Sequence, residues 1–181
     1  MGKTRIVAAA AAIAAVTMAS TVALTPTAYA NTATRHDARG DAPRHIDLTR
    51  AVIDNGDTDS DLAILRIRVA GALRTGDSVS VYVWFNRNTA NPGPELRLTG
   101  VIDSEYAMRR VNTWTGAGHA VSCDLYKMKQ FGDRHGVRVR IDRSCLGNRP
   151  VRAAIRVNSG TGDGQRDWFG APRTFLPAVL H

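Results

Sequence analysis

Short apolar runs in this chain occupy every second position. Val79, Val81, Val83 and Phe85 are separated by Ser80, Tyr82 and Trp84; Leu65, Ile67 and Val69 by Arg66 and Arg68; Val137, Val139 and Ile141 by Arg138 and Arg140. Successive side chains of an extended strand point to opposite faces, so this rhythm puts aliphatics on one face and polar groups on the other. No run keeps a helical period for more than a turn. Nine segments read as strands: 46–53, 63–69, 79–85, 95–101, 106–114, 120–128, 137–141, 151–157 and 174–180, separated by Gly, Asn, Asp and Pro turns. The first loses its alternation at its end, and the last contains Pro177, which assigns it to an edge. One helical turn is expected at 142–146 (DRSCL), with Asp142 capping the amides that follow. The expected fold is all-β, a two-sheet antiparallel β-sandwich, jelly-roll-like, of about nine strands.

The N-terminal 30 residues stand apart from this pattern. Lys3 and Arg5 precede an alanine-rich apolar run from Ile6 to Leu24, Pro26 breaks it, and Ala28-Tyr29-Ala30 offers an A-x-A cleavage site. This is the layout of a secretory signal peptide over 1–30, and it predicts a secreted, extracellular chain starting at Asn31. No second apolar run follows, so no membrane association is expected after cleavage. Residues 31–44 (NTATRHDARGDAPR) lack periodicity and read as a disordered lead-in; the RGD at Arg39–Asp41 is a chance tripeptide in an Arg- and Asp-rich segment. Residues 45–181 are then one sandwich domain, expected to be a monomer. Cys123 and Cys145 are the only cysteines, and an exported chain with two pairs them in a disulfide.

Charge says less than it first suggests. The formal net charge is +8, or +6 without Lys3 and Arg5, and all but three of the 24 basic side chains are arginine. A GC-rich coding sequence writes arginine at solvent-facing positions, so basicity alone does not define a partner. The outward arginines of neighbouring strands could align into a cationic stripe, but no nucleic-acid module accompanies them and nucleic acid is not the expected partner. No G-x-S-x-G, H-E-x-x-H or Walker loop occurs, and the only glutamates are Glu95 and Glu105, so the chain is not expected to be an enzyme.

Two sets of side chains are candidates for binding. Tyr82 and Trp84 point away from the valine face of their strand, and with Arg87 beside them they have the makings of a sugar-stacking platform. If the face is covered they are core instead. Asp57, Asp59 and Asp61 in DNGDTDSD carry the D-x-D-x-D spacing that converges alternate carboxylates on calcium. Leu62 and Arg68 stand where an EF-hand requires glycine and a bidentate glutamate, so a solvated turn is the alternative. No other cofactor is expected. Asp163 or Asp167 in the loop GTGDGQRD could also donate to an ion.

The run VYVWFN followed by NPGPELRL, with Gly93-Pro94-Glu95 opening the second strand, resembles the strand-turn-strand core of family 9 carbohydrate-binding modules and the related DOMON domains. IDRSCLG and the β run after it, 141–157, are similar to their strand, short helical turn and penultimate strand. The chain from 46 onward, with its cysteine pair, Asp167-Trp168 and the Phe175-Leu176-Pro177 ending, resembles small secreted β-sandwich proteins. Asn86 and Asn88 stand where those relatives carry an acidic pair. The resemblance implies a sandwich and a secreted, non-catalytic binding module for an extracellular polysaccharide or cell-wall polymer. A protein-interaction or inhibitor-like role and a calcium-dependent binding module are the other expectations.

Overall fold

The computed structural model describes residues 32–55, 61–73, 79–88, 90–101, 105–147, 149–160 and 164–179. Residues 1–30, expected to be a signal peptide, lie outside them. Eleven strands and one helical turn are described: β1 Thr32–His36, β2 Leu48–Asp54, β3 Leu62–Val69, β4 Ser80–Asn86, β5 Leu96–Val101, β6 Tyr106–Arg110, β7 His119–Ala120, β8 Tyr126–Phe131, β9 Gly136–Asp142, α1 Arg143–Leu146, β10 Arg152–Asn158 and β11 Arg166–Trp168. They form two wholly antiparallel sheets, β1-β2-β3-β9-β8 (sheet A) and β11-β10-β4-β5-β6-β7 (sheet B). The chain is a two-sheet β-sandwich.

Alternation builds the layer between the sheets. Leu65, Ile67, Val69, Val137, Val139 and Ile141 come from sheet A; Val81, Val83, Phe85, Leu96, Leu98, Met108, Ile155 and Val157 come from sheet B; all are buried in one cluster. At roughly 1.5–3 kcal/mol for each large apolar side chain fully buried, this layer is the dominant favourable term of folding. The irregular first strand has a local cause. Pairing of β2 with β3 shifts register between Leu48 and Arg50, so Leu48, Ala51 and Ile53 all turn inward where strict alternation would expose Ala51.

Four sequence expectations require correction. The polar segment 31–44 is not uniformly irregular: Thr32–His36 forms β1, in register with β2 from Thr32↔Asp54 to His36↔Arg50. An edge strand is held by its main-chain ladder and needs no apolar stripe, so composition does not reveal it. Residues 120–128 are not one strand, since β7 ends in sheet B at Ala120 and β8 begins in sheet A at Tyr126. The 106–114 strand stops at Arg110: the Val111 amide adds one more rung to the β5–β6 ladder, donating to the Glu95 carbonyl at 2.9 Å, and the chain then turns back to pair β7 with β6. Among the described residues of the 174–180 segment no strand forms: it meets β10 and its lead-in through the isolated bridge Val151↔Val179 and the Leu176 amide, which donates to the Ala153 carbonyl at 2.8 Å.

Helix α1 and the disulfide match expectation. Asp142 Oδ1 accepts from the Ser144 amide at 2.8 Å and from the Ser144 hydroxyl at 2.6 Å, and Gly147 ends the turn at φ +74°. Cys123 lies on the segment where the chain crosses from sheet B to sheet A, and it pairs with Cys145 of α1 across a Cα–Cα distance of 5.7 Å.

Candidate functional site

Strand register decides which outward side chains of sheet B meet. Arg156 of β10 lies opposite Tyr82 of β4 on one side and Trp168 of β11 on the other; Tyr82 lies opposite Thr99 of β5, and Thr99 opposite Ala107 of β6. The neighbouring row runs Ala154, Trp84, Arg97, Arg109. Large aromatics therefore crowd the β4-β10-β11 half of the face, while short Thr99 and Ala107 leave a trough in the other half.

The crowded half is a second core. Trp84 is 1% exposed although it points away from the inter-sheet layer. Trp168 stacks on it at a centroid distance of 5.0 Å, Trp114 leans over it at 5.7 Å, Tyr82 lies parallel at 5.7 Å, and Phe175 packs on Trp114 at 4.9 Å. Ala154 is small enough to sit beneath them. The loop carrying Trp114 closes through Gly118, whose φ of +68° and close approach to the Arg110 carbonyl leave no room for a Cβ. The expected open platform at Trp84 is thus corrected: the ring is covered.

Arg87 does not join that face either. Its odd register directs it to the end of the sandwich, where its backbone amide and Nε both donate to Glu95 Oε2, at 3.0 and 3.1 Å, and Nη1 donates to the Cys145 carbonyl at 3.5 Å. Asn86, wholly buried, donates through Nδ2 to the carbonyls of Asn91 and Gly93 at 2.6 Å each. These polar residues organise the loop between β4 and β5 and are spent on it.

The trough is the candidate site. It is an open groove of about 630 Å³ with Thr99, Gly100 and Ala107 along its length, Tyr82 and Trp114 as aromatic walls, and three guanidinium groups, Arg97, Arg109 and Arg156, around it; Glu105 and Val101 lie at its rim. Arg156 sits over Tyr82 at 4.3 Å, Trp84 at 5.1 Å and Trp168 at 5.3 Å, a cation laid on three ring faces. Burial pulls the Arg156 guanidinium below its ordinary value; interaction with Tyr82 opposes this, and Arg166 and Arg97 reinforce it. Arg97 Nη2 and Arg109 Nη1 each donate to a carbonyl of the Trp114 loop, Ala117 at 3.3 Å and Gly118 at 3.4 Å. Arg97 Nε, Arg156 Nε and Thr99 Oγ1 are buried with no protein partner. Guanidinium groups held in place beside aromatic walls suit an anionic, hydroxyl-rich ligand.

Sheet A carries a different surface. Arg50, Arg66, Arg68, Arg138, Arg140, Lys127 and Lys129 share its outer face by register; of the six arginines expected to align, Arg66, Arg68, Arg138 and Arg140 do so, while Arg152 and Arg156 stand on β10 of sheet B. Phe131, the last residue of the edge strand β8, lies on this face, with Arg68 and Arg138 over its ring at 5.1 and 5.4 Å. A Cβ on Gly136 opposite would fall 2.6 Å from that ring. Two smaller hollows lie on this face, about 200 Å³ among Lys127, Lys129, Arg138 and Arg140 and about 210 Å³ among Arg50, Arg66, Arg68 and Phe131.

Of the acidic loop, Asp57 and Asp59 lie outside the described residues. Asp61 is exposed, and its carbonyl accepts from the Arg143 amide at 2.8 Å. Trp114 and Tyr82 were visible in the sequence as aromatics, and Arg156 as an outward arginine. Their convergence with Arg97 and Arg109 depends on the β10-β4-β5-β6 register, which a one-residue slip would invert and which no local motif encodes. No protein-family model matches the chain, and no curated protein matches it.

Proposed function

We propose that this chain is a secreted, non-catalytic binding module whose groove on sheet B takes an acidic polysaccharide, such as a uronate-bearing extracellular or cell-wall polymer. One observation carries the reading: three arginines converge on one groove beside Tyr82 and Trp114. Pyranose rings present apolar faces that lie against aromatic side chains, and a planar guanidinium matches a carboxylate in two parallel hydrogen bonds. Openness favours a chain that runs through the site. Among the described residues the groove carries one carboxylate, Glu105, and no carboxylate pair, which favours binding over cleavage. The cysteine pair suits an oxidising compartment, in keeping with the signal-like N-terminus. Among the described residues Val101 is the one large apolar side chain classed as exposed, so the described surface offers no apolar patch to favour a protein partner.

Calorimetric titration with oligogalacturonate and with a neutral galactan oligomer of equal length tests this. The acidic oligomer is expected to bind about tenfold or more tightly than the neutral one, and a rise in salt to roughly 0.5 M should weaken it. Replacing both Arg97 and Arg109 with alanine should cost a further tenfold or more at a thermal midpoint within a few degrees of wild type. Equal binding of the two oligomers, or full affinity in the double variant, defeats the reading.

A further inference from the structure

Away from the groove, at the end of the sandwich where the β1–β2 connection passes β11, carboxylates gather. Asp41, Asp47 and Asp167 each bring one oxygen within 4.8 Å of the other two. They come from distant parts of the chain: Asp41 and Asp47 precede β2 of sheet A, and Asp167 is the central residue of β11 in sheet B. Backbone amides fix two of them, with Gly40 donating to Asp47 Oδ2 at 2.9 Å and Leu48 to Asp167 Oδ2 at 2.6 Å. Asp37, close by, accepts from the Gly170 amide at 2.8 Å.

A second observation is independent of the clustering. Asp47 is 2% exposed, and once Oδ2 has taken the Gly40 amide its Oδ1 is a buried oxygen with no hydrogen-bond partner. The two ion pairs described in the molecule, Arg66–Asp54 and Arg87–Glu95, involve none of these aspartates. Buried carboxylate oxygen left bare among other carboxylates is strongly unfavourable unless a positive charge reaches it.

We infer that Asp41, Asp47 and Asp167 hold a divalent cation, and that the cation is calcium. All three donors are carboxylate oxygens, the preference of a hard cation, with no sulfur or imidazole to favour zinc. Oxygens no more than 4.8 Å apart fit around one ion at calcium's metal–oxygen distance of about 2.4 Å. Three carboxylates leave coordination positions for water or backbone carbonyls. The ion ties the β1–β2 connection of sheet A to β11 of sheet B, one residue from Trp168 of the aromatic cluster. It is a separate site from the 57–61 loop and does not depend on the groove's ligand.

The test uses the secreted chain after chelator treatment, with calcium chloride as the probe, by calorimetric titration and thermal unfolding. Wild type is expected to bind with Kd on the order of 0.1–1 mM and to gain about 5 °C or more at roughly 10 mM calcium. Asp41→Asn removes an exposed ligand. It should weaken binding about tenfold or more while leaving the metal-free midpoint unchanged or raised, because it also removes repulsion. Asp47→Asn should abolish the calcium response, and a variant with Asp57→Asn and Asp59→Asn should keep it. No heat and no midpoint shift in wild type overturns the inference. So does a response that survives Asp41→Asn and Asp47→Asn, or one that disappears with the 57/59 variant alone.

Discussion

Trp84→Ala is expected to destabilise the folded chain by about 3–5 kcal/mol, the range for truncating a large buried aromatic. The outward register of Trp84 would suggest a much smaller cost, because an exposed ring on a sheet face contributes little. Its burial and its contacts decide otherwise. The ring is 1% exposed and has Tyr82, Trp114, Trp168 and Arg156 against it, so alanine would leave a cavity that these side chains can only partly fill. Stacked and tilted aromatic pairs add about 0.5–1.5 kcal/mol each beyond area burial, which places the expected loss toward the upper end of the range. Against a typical total of about 5–15 kcal/mol, that is a large share of the stability. Urea unfolding of Trp84→Ala and Trp84→Phe measures it, and phenylalanine should recover part of the loss. A change below about 1 kcal/mol for alanine would mean that the cluster is open in solution.

Removing both sulfurs, as Cys123→Ala with Cys145→Ala, is expected to cost about 3 kcal/mol. The bridge closes a loop with a sequence separation of 22, and loop-closure entropy in the unfolded chain sets the size of the effect. In the folded state it joins the sheet-crossing segment to α1, but α1 keeps its own cap at Asp142 and its αL terminus at Gly147. The reduced chain should therefore retain the sandwich, with the same far-ultraviolet circular dichroism and a lower urea midpoint. Loss of the β signal on reduction would show that the crossing segment needs the bridge to fold.

How much of this was legible in the sequence follows from which interactions are local. Period-two runs such as ILRIRV and VRVRI announce the strands and their inner faces without ambiguity, and Asp142 announces the helical turn. The cysteine pairing followed from count and compartment. What the sequence withheld was long-range: β1 is polar and held by its ladder, and β7 and β8 belong to different sheets although only five residues separate Ala120 from Tyr126. Arg87 was the natural neighbour of Trp84 along the chain, yet Arg156, far away in sequence and opposite Tyr82 in register, is the cation on that face. Asp41 belonged to an apparent chance tripeptide, and only the fold brings it beside Asp47 and Asp167.

One face of sheet B carries a covered aromatic bed holding Arg156 and, beside it, the arginine-lined groove proposed to take an acidic glycan chain. Two-dimensional ¹H–¹⁵N spectra recorded during titration with oligogalacturonate address this directly, because arginine Nε–H and tryptophan indole signals report on each wall separately. Saturable shifts are expected at Arg97, Arg109 and Arg156 and at the indole of Trp114, with Arg66, Arg68, Arg138 and Arg140 on the opposite sheet unmoved. Shifts confined to the sheet A arginines, or none at any concentration that titrates the ligand, would contradict it.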